Sequence, residues 1–161
     1  MIRFAQEADL PALLQLWQEA FGDGSGEEAS YYFARRHQPQ HMLVALEKGR
    51  AAGMLTMLPV ELAAPGSSFP ARYIFAVATL KAFRGQGIST RLLEAAHSHM
   101  RQTGAAASLL VPATPSLFDF YGRRGYKAAF CLDSLVLSPG DFPPPDPAAL
   151  VKDCAAADYL R

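Results

Sequence analysis

The chain is short of cysteine. Cys131 and Cys154 stand far apart, form no CxxC pair and match no metal-ligand spacing. A disulfide scaffold and a zinc module are both excluded, and two reduced thiols suit a cytoplasmic protein. No apolar run approaches the roughly 18 residues that a membrane-spanning helix needs. The opening Met1-Ile2-Arg3-Phe4 lacks the apolar core of a signal peptide. Charge of one sign is missing as well, with 15 basic against 15 acidic side chains. That balance leaves no electrostatic footprint for nucleic acid or for an anionic membrane surface. Histidines number only four. His37 and His41 sit among the prolines and glutamines of a loop, while His97 and His99 are two apart and diverge on a helix, so no metal is expected. There is no internal repeat. What remains is a chain of 161 residues, half of them hydrophobic, enough for one ordinary core.

Periodicity divides that chain into alternating elements. "MIRFA" reads as a first strand, after which Asp9 can cap a helix that tolerates Pro11 in its first turn and stops at Gly22. "GDGSGEE" connects to a second helix at 27–36. "HMLVALE" and "AAGMLTMLPVEL", joined by Lys48-Gly49-Arg50, form an antiparallel hairpin, with Pro59 marking an edge or a bulge. "ARYIFAVATL" is a nearly continuous apolar run, the pattern of a central strand buried on both faces. A helix with one stripe of Ile88, Leu92, Leu93, Ala96 and Met100 follows, then the short strand "AASLLV". Thr114-Pro115 opens a helix through Arg124 that Gly125 closes. "YKAAF" and "CLDSLVL" complete an α/β sandwich on a mixed sheet. Three segments follow: a domain at 1–138, a proline-rich linker at 139–147 holding most of "SPGDFPPPDP", and a helical segment at 148–161 that reads as the start of a further element.

The stretch between the apolar strand and the striped helix carries the chemistry. Arg84-Gly85-Gln86-Gly87 stands where a strand hands over to a helix. A helix N-terminus presents unpaired N–H groups and partial positive charge, so it can seat an anion. Glycines admit that anion to the backbone, and Arg84 adds a full charge beside it. Phosphate, and most simply a diphosphate, is the expected ligand. A nucleoside-triphosphate loop would need Lys-Ser/Thr after the last glycine, where Ile88-Ser89 stands. A dinucleotide fingerprint would need a glycine at Thr90 and an acidic residue roughly twenty positions on, and neither is present.

The R-G-x-G-x-small pattern after a central strand resembles the acetyl-CoA-binding motif of the GNAT superfamily of N-acetyltransferases. The order of elements over residues 1–137 resembles that family too, and "SLFDFYGRRGY" is similar to its FYxxxGF segment. The signature usually ends in Gly or Ala, and here it ends in Ser89. The resemblance implies an α/β fold whose mixed, mostly antiparallel sheet is flanked by helices. It implies acetyl-CoA as acetyl donor, with no metal. Its pantetheine arm would pair with Val77, Ala78 and Thr79 where the strand splays from its neighbour. Its diphosphate would lie on Arg84, Gly85, Gln86, Gly87, Ile88 and Ser89, and Arg123 or Arg124 is an option for the ribose phosphate. Tyr121 falls at the position often used as general acid, against a plain packing role beside Phe118 and Phe120.

The implied reaction is direct attack of a primary amine on a thioester. A lysine-like amine is neutral only about once in 2,500 molecules at pH 7, a deficit of roughly 4 to 5 kcal/mol that a base or an apolar site must offset. Residues 73–80 hold no carboxylate, so Glu61, Asp119, a water chain or a carboxylate from a further domain all stay open as the base. Asp23, Glu27 and Glu28 border the expected acceptor site and suit a cationic small-molecule or peptide amine. A homo-oligomer is left open. Two rival readings stand beside an enzyme: a non-catalytic acyl-CoA-binding module, and the N-terminal part of a longer two-domain acetyltransferase.

Overall fold

The computed structural model describes residues 1–22 and 26–130, and the compact unit Met1–Tyr126 carries everything that follows. Five strands, β1 (Ile2–Phe4), β2 (Met42–Glu47), β3 (Arg50–Ala64), β4 (Ser67–Thr79) and β5 (Ala107–Leu109), form one sheet in that order. The first three junctions are antiparallel, and β4 with β5 is parallel. Four helices pack on it: α1 (Leu10–Phe21), α2 (Glu27–Arg35), α3 (Ile88–Gln102) and α4 (Pro115–Gly122). The connection from β4 to β5 runs through α3, the helical crossover that a parallel pair requires.

Alternation along the strands builds two cores. Met42 and Val44 point into one with Leu13, Leu16 and Trp17 of α1, and Leu43 and Ala45 point into the other with Leu92, Leu93 and Ala96 of α3. The sheet therefore separates α1 and α2 from α3 and α4. The β2–β3 hairpin turns at Lys48 and Gly49, both with positive φ (51° and 78°), as a tight two-residue hairpin demands. Pro59 falls where β3 has outrun β2, whose ladder stops at Met42↔Thr56, so its missing N–H faces an open edge.

Three expectations change. Asp9 stands at the N-cap of α1, but its carboxylate makes no cap bond there. Instead it accepts from both Arg3 guanidinium nitrogens (2.6 and 2.8 Å) and from the Gln6 N–H (2.7 Å), pinning β1 to the helix entry. The segment 126–130 forms no strand: the Tyr126 N–H is spent on the Tyr121 carbonyl (3.2 Å), closing α4 in place of a ladder. The strand at 131–137, the linker and the C-terminal helical segment lie outside the described residues, as does Asp23. Finally, α4 ends at Gly122, two residues before Arg124.

Candidate active site

β4 is not uniformly buried; buried and half-buried residues alternate along it from Ile74 onward. Its register against β3 slips, from Met54↔Ala78 to Thr56↔Phe75, so two β4 residues oppose Leu55. That is a β-bulge, and Ala76 takes its strained place at φ 50°. The slip breaks the alternation: Phe75, Ala76 and Ala78 join the α1 core, while Ile74 and Val77 join the α3 core.

The other edge of β4 forks. Its parallel ladder with β5 ends at Tyr73↔Leu109, and β4 runs on through Thr79 paired, among the described residues, with β3 alone. Main-chain groups of residues 74–79 on that side therefore have no ladder partner among the described residues, and the sheet forks there. At the mouth of the fork, the chain turns through Lys81–Phe83, where the Lys81 N–H is capped by Glu19 of α1 (2.6 Å). It then reaches Gly85 and Gly87, with φ of 76° and 73°. Gly87 is the N-cap of α3, and no side chain caps the free N–H groups of that helix's first turn. A Cβ on either glycine would meet nothing within 4 Å. The space is a real cradle.

That cradle is a cleft of about 310 Å³ with ten lining residues, six of them expected from sequence: Thr79, Arg84, Gly85, Gly87, Ile88 and Ser89. Val77 and Ala78 lie deeper along β4, and the Gln86 side chain folds back onto the Ala82 carbonyl (3.4 Å), leaving only its backbone at the turn. The Ser89 departure has a local answer, because its hydroxyl is bonded to Thr79 Oγ1 at 2.9 Å. Arg84 is exposed, and its Nε donates to the Thr79 carbonyl (3.3 Å). Sequence reasoning missed Phe83, Thr90 and Phe120 as lining residues.

Arg124 closes the cleft from the turn that follows α4. Its guanidinium lies 3.6 Å over the Phe120 ring, Nη1 donates to the Phe120 carbonyl (2.6 Å), and Nε and Nη2 donate to Thr90 Oγ1. This arginine is thus committed to joining α4 to the first turn of α3. Arg123 lines a larger neighbouring groove, about 680 Å³, with Asp119 and Glu94.

Tyr121 is buried, with Phe120 edge-on at 5.1 Å and Tyr126 at 5.6 Å, in the core that includes Ile74 and Val77. Burial raises its phenol above the ordinary range, and nearby Arg124 opposes the rise. Phe118 is exposed and takes no part in that packing. Of the candidate bases, Glu61 pairs with Pro70, five ladder positions from Phe75 and so about 17 Å from the bulge. Asp119 is exposed on α4. Neither faces the fork. On the α1 side, Tyr32 stacks on Trp17 (4.7 Å), both touch Phe75, and the Tyr32 hydroxyl donates to buried Thr56 at 3.4 Å. Among the described residues, no cluster of histidines, cysteines and carboxylates could hold a metal, and no helix is long and apolar enough to cross a membrane.

A parallel pair whose ladder stops short, a bulge beside it and a glycine-led helix at its mouth frame this cleft. The sequence model of the acetyltransferase (GNAT) domain matches residues 1–129. The chain belongs to the GNAT acetyltransferase family. As a GNAT domain it is an acyltransferase, and solved structures share its fold. A GNAT family acetyltransferase from Brucella melitensis, in complex with acetyl-CoA, is 25% identical with a TM-score of 0.63, over 84% of this chain and 90% of that one. A Trypanosoma brucei acetyltransferase is 22% identical with a TM-score of 0.66, covering 85% and 99%. Glucosamine-6-phosphate N-acetyltransferase from Arabidopsis thaliana is 18% identical at a TM-score of 0.66, covering 86% and 98%. No curated protein matches this GNAT chain.

Proposed function

We propose that this protein transfers an acetyl group from acetyl-CoA to a primary amine of a small molecule or peptide, by direct attack and in the cytoplasm. The observation that carries the reading is the fork after Tyr73, opening onto the uncapped first turn of α3. The residues fit the donor. A pantetheine arm carries amides that can pair with the main chain of Val77, Ala78 and Thr79 as a missing strand would. A diphosphate needs close backbone approach and positive potential. Gly85 and Gly87 give the first; the amides of Ile88 and Ser89, the α3 dipole and Arg84 give the second. Charge-assisted hydrogen bonds of this kind contribute about 1.5–3 kcal/mol each, so two or three supply about 3–9 kcal/mol, to which Arg84 and the pantetheine arm add.

The donor supplies an activated thioester; the chain supplies position and protons. Tyr121 is held protonated at neutral pH by its burial. A phenol so raised is a weaker acid than a thiol of ordinary pKa near 8.5, so complete transfer to the departing sulfur runs uphill. Tyr121 therefore acts as a hydrogen-bond donor to that sulfur, a contribution of about tenfold rather than the thousandfold of a matched acid. Among the described residues no carboxylate faces the fork, so neutral amine is selected by an apolar site, where a cation loses hydration, or by a water chain that takes its proton.

The test is thiol release from acetyl-CoA across a panel of primary amines, polyamines, aminoglycosides and peptide N-termini, with titration calorimetry of acetyl-CoA alongside. Turnover with at least one amine is expected, and Tyr121→Phe should lower kcat about tenfold while sparing acetyl-CoA affinity. Binding without turnover on any amine would leave a carrier module instead.

A further inference from the structure

Behind Tyr121 lies a polar junction that the transfer reading does not use. The Tyr126 hydroxyl meets Ser108 Oγ of β5 at 2.6 Å and His97 Nε2 of α3 at 2.9 Å. One phenol thus ties a strand, a helix and the turn after α4 together. Its place matters. Ser108 pairs with Arg72, one ladder step before the last β4–β5 pair, so the junction grips β5 where the fork begins. Tyr126 is also fixed to Tyr121 twice over: its N–H donates to the Tyr121 carbonyl at 3.2 Å, and the two rings meet edge-on at 5.6 Å. A side chain so placed controls both the angle at which β5 departs and the seat of the Tyr121 ring.

We propose that Tyr126, held by Ser108 and His97, is a positioning residue that sets Tyr121 and the fork for acyl transfer. The proposal rests on the role given to Tyr121 above. Tyr126 touches neither donor nor acceptor, so its loss moves the reacting geometry without removing a binding contact. A displacement of a reactive group by a fraction of an ångström is costly even when binding survives. The geometry suits a neutral imidazole, in which the Tyr126 hydroxyl can donate to His97 Nε2 while it accepts from Ser108. Burial and nearby Arg101 both hold His97 towards that neutral form.

A double-mutant cycle on thiol release, using acetyl-CoA and the amine selected by the panel, tests this. Tyr126→Phe keeps the ring and deletes both hydrogen bonds. The expected result is a kcat lower by about tenfold with KM for acetyl-CoA unchanged. In the Tyr121→Phe background the same substitution should cost less than about twofold, because it acts through the ring already altered. His97→Gln, whose amide oxygen can still accept, should restore most of the rate that His97→Leu loses. Should Tyr126→Phe fail to fold, Ser108→Ala enters the same cycle with the same expectation. Equal losses in both backgrounds, or a loss confined to KM, would overturn the proposal. If Tyr121→Phe slows turnover and Tyr126→Phe does not, this inference alone falls. If Tyr121→Phe leaves kcat untouched, the role of Tyr121 falls first and takes the inference with it.

Discussion

Single residues decide whether the cradle can hold an anion. Gly87 sits at φ 73° with open space where a Cβ would be. Alanine there costs about 1–2 kcal/mol of backbone strain, and a valine adds two methyl groups to the space a diphosphate needs. Calorimetry of Gly87→Ala and Gly87→Val with acetyl-CoA should show affinity falling about tenfold for the first and beyond detection for the second. Unchanged affinity in the valine variant would remove the glycine turn from the site. The sequence made these glycines legible because left-handed backbone has few substitutes. It also exposed Ser89 as a departure, although its hydroxyl bond to Thr79 depends on how the end of β4 meets α3, which spacing alone does not reveal. Arg124 was legible as a charge, not as a clamp, since its partners Phe120 and Thr90 come from two different helices.

At the scale of elements, the β2–β3 hairpin, the striped helix and the glycine turn were readable, because each follows from local chemistry. The bulge at Ala76 was not. No glycine or proline marks it, and it exists only in the register between β3 and β4. The fork had the same status: residues implied it only through a resemblance, since divergence of two strands leaves no periodic trace. Asp9 misled for a related reason, as a good capping residue also satisfies an arginine brought near by β1. The seat of α3 depends on Gly53 of β3, where a Cβ would lie 2.7 Å from Ile88 Cγ2 and 2.9 Å from the Ala78 carbonyl. Gly53→Ala should destabilise the fold by about 1–3 kcal/mol and weaken acetyl-CoA binding too, since Ile88 begins the helix that faces the diphosphate. Denaturant melts and calorimetry check both; a melt identical to wild type would mean that this close approach is not needed.

For the whole molecule, the sheet divides labour. The face that carries α3 and α4 holds the glycine cradle, the Arg124 clamp and the Tyr126 junction, and the face that carries α1 and α2 presents Trp17, Tyr32 and Phe75. The central strands alternate between the two, and the bulge in β4 shifts that alternation within a few residues. A donor seated along β4 would bring its thioester to that bulge, which is the physical content of the proposed transfer. A crystal structure of the protein with acetyl-CoA tests this account most directly. It should show the diphosphate on the amides of residues 85–89 and the pantetheine arm lying along Val77 to Thr79. A diphosphate found anywhere else, or an arm that leaves the edge of β4 untouched, would contradict it.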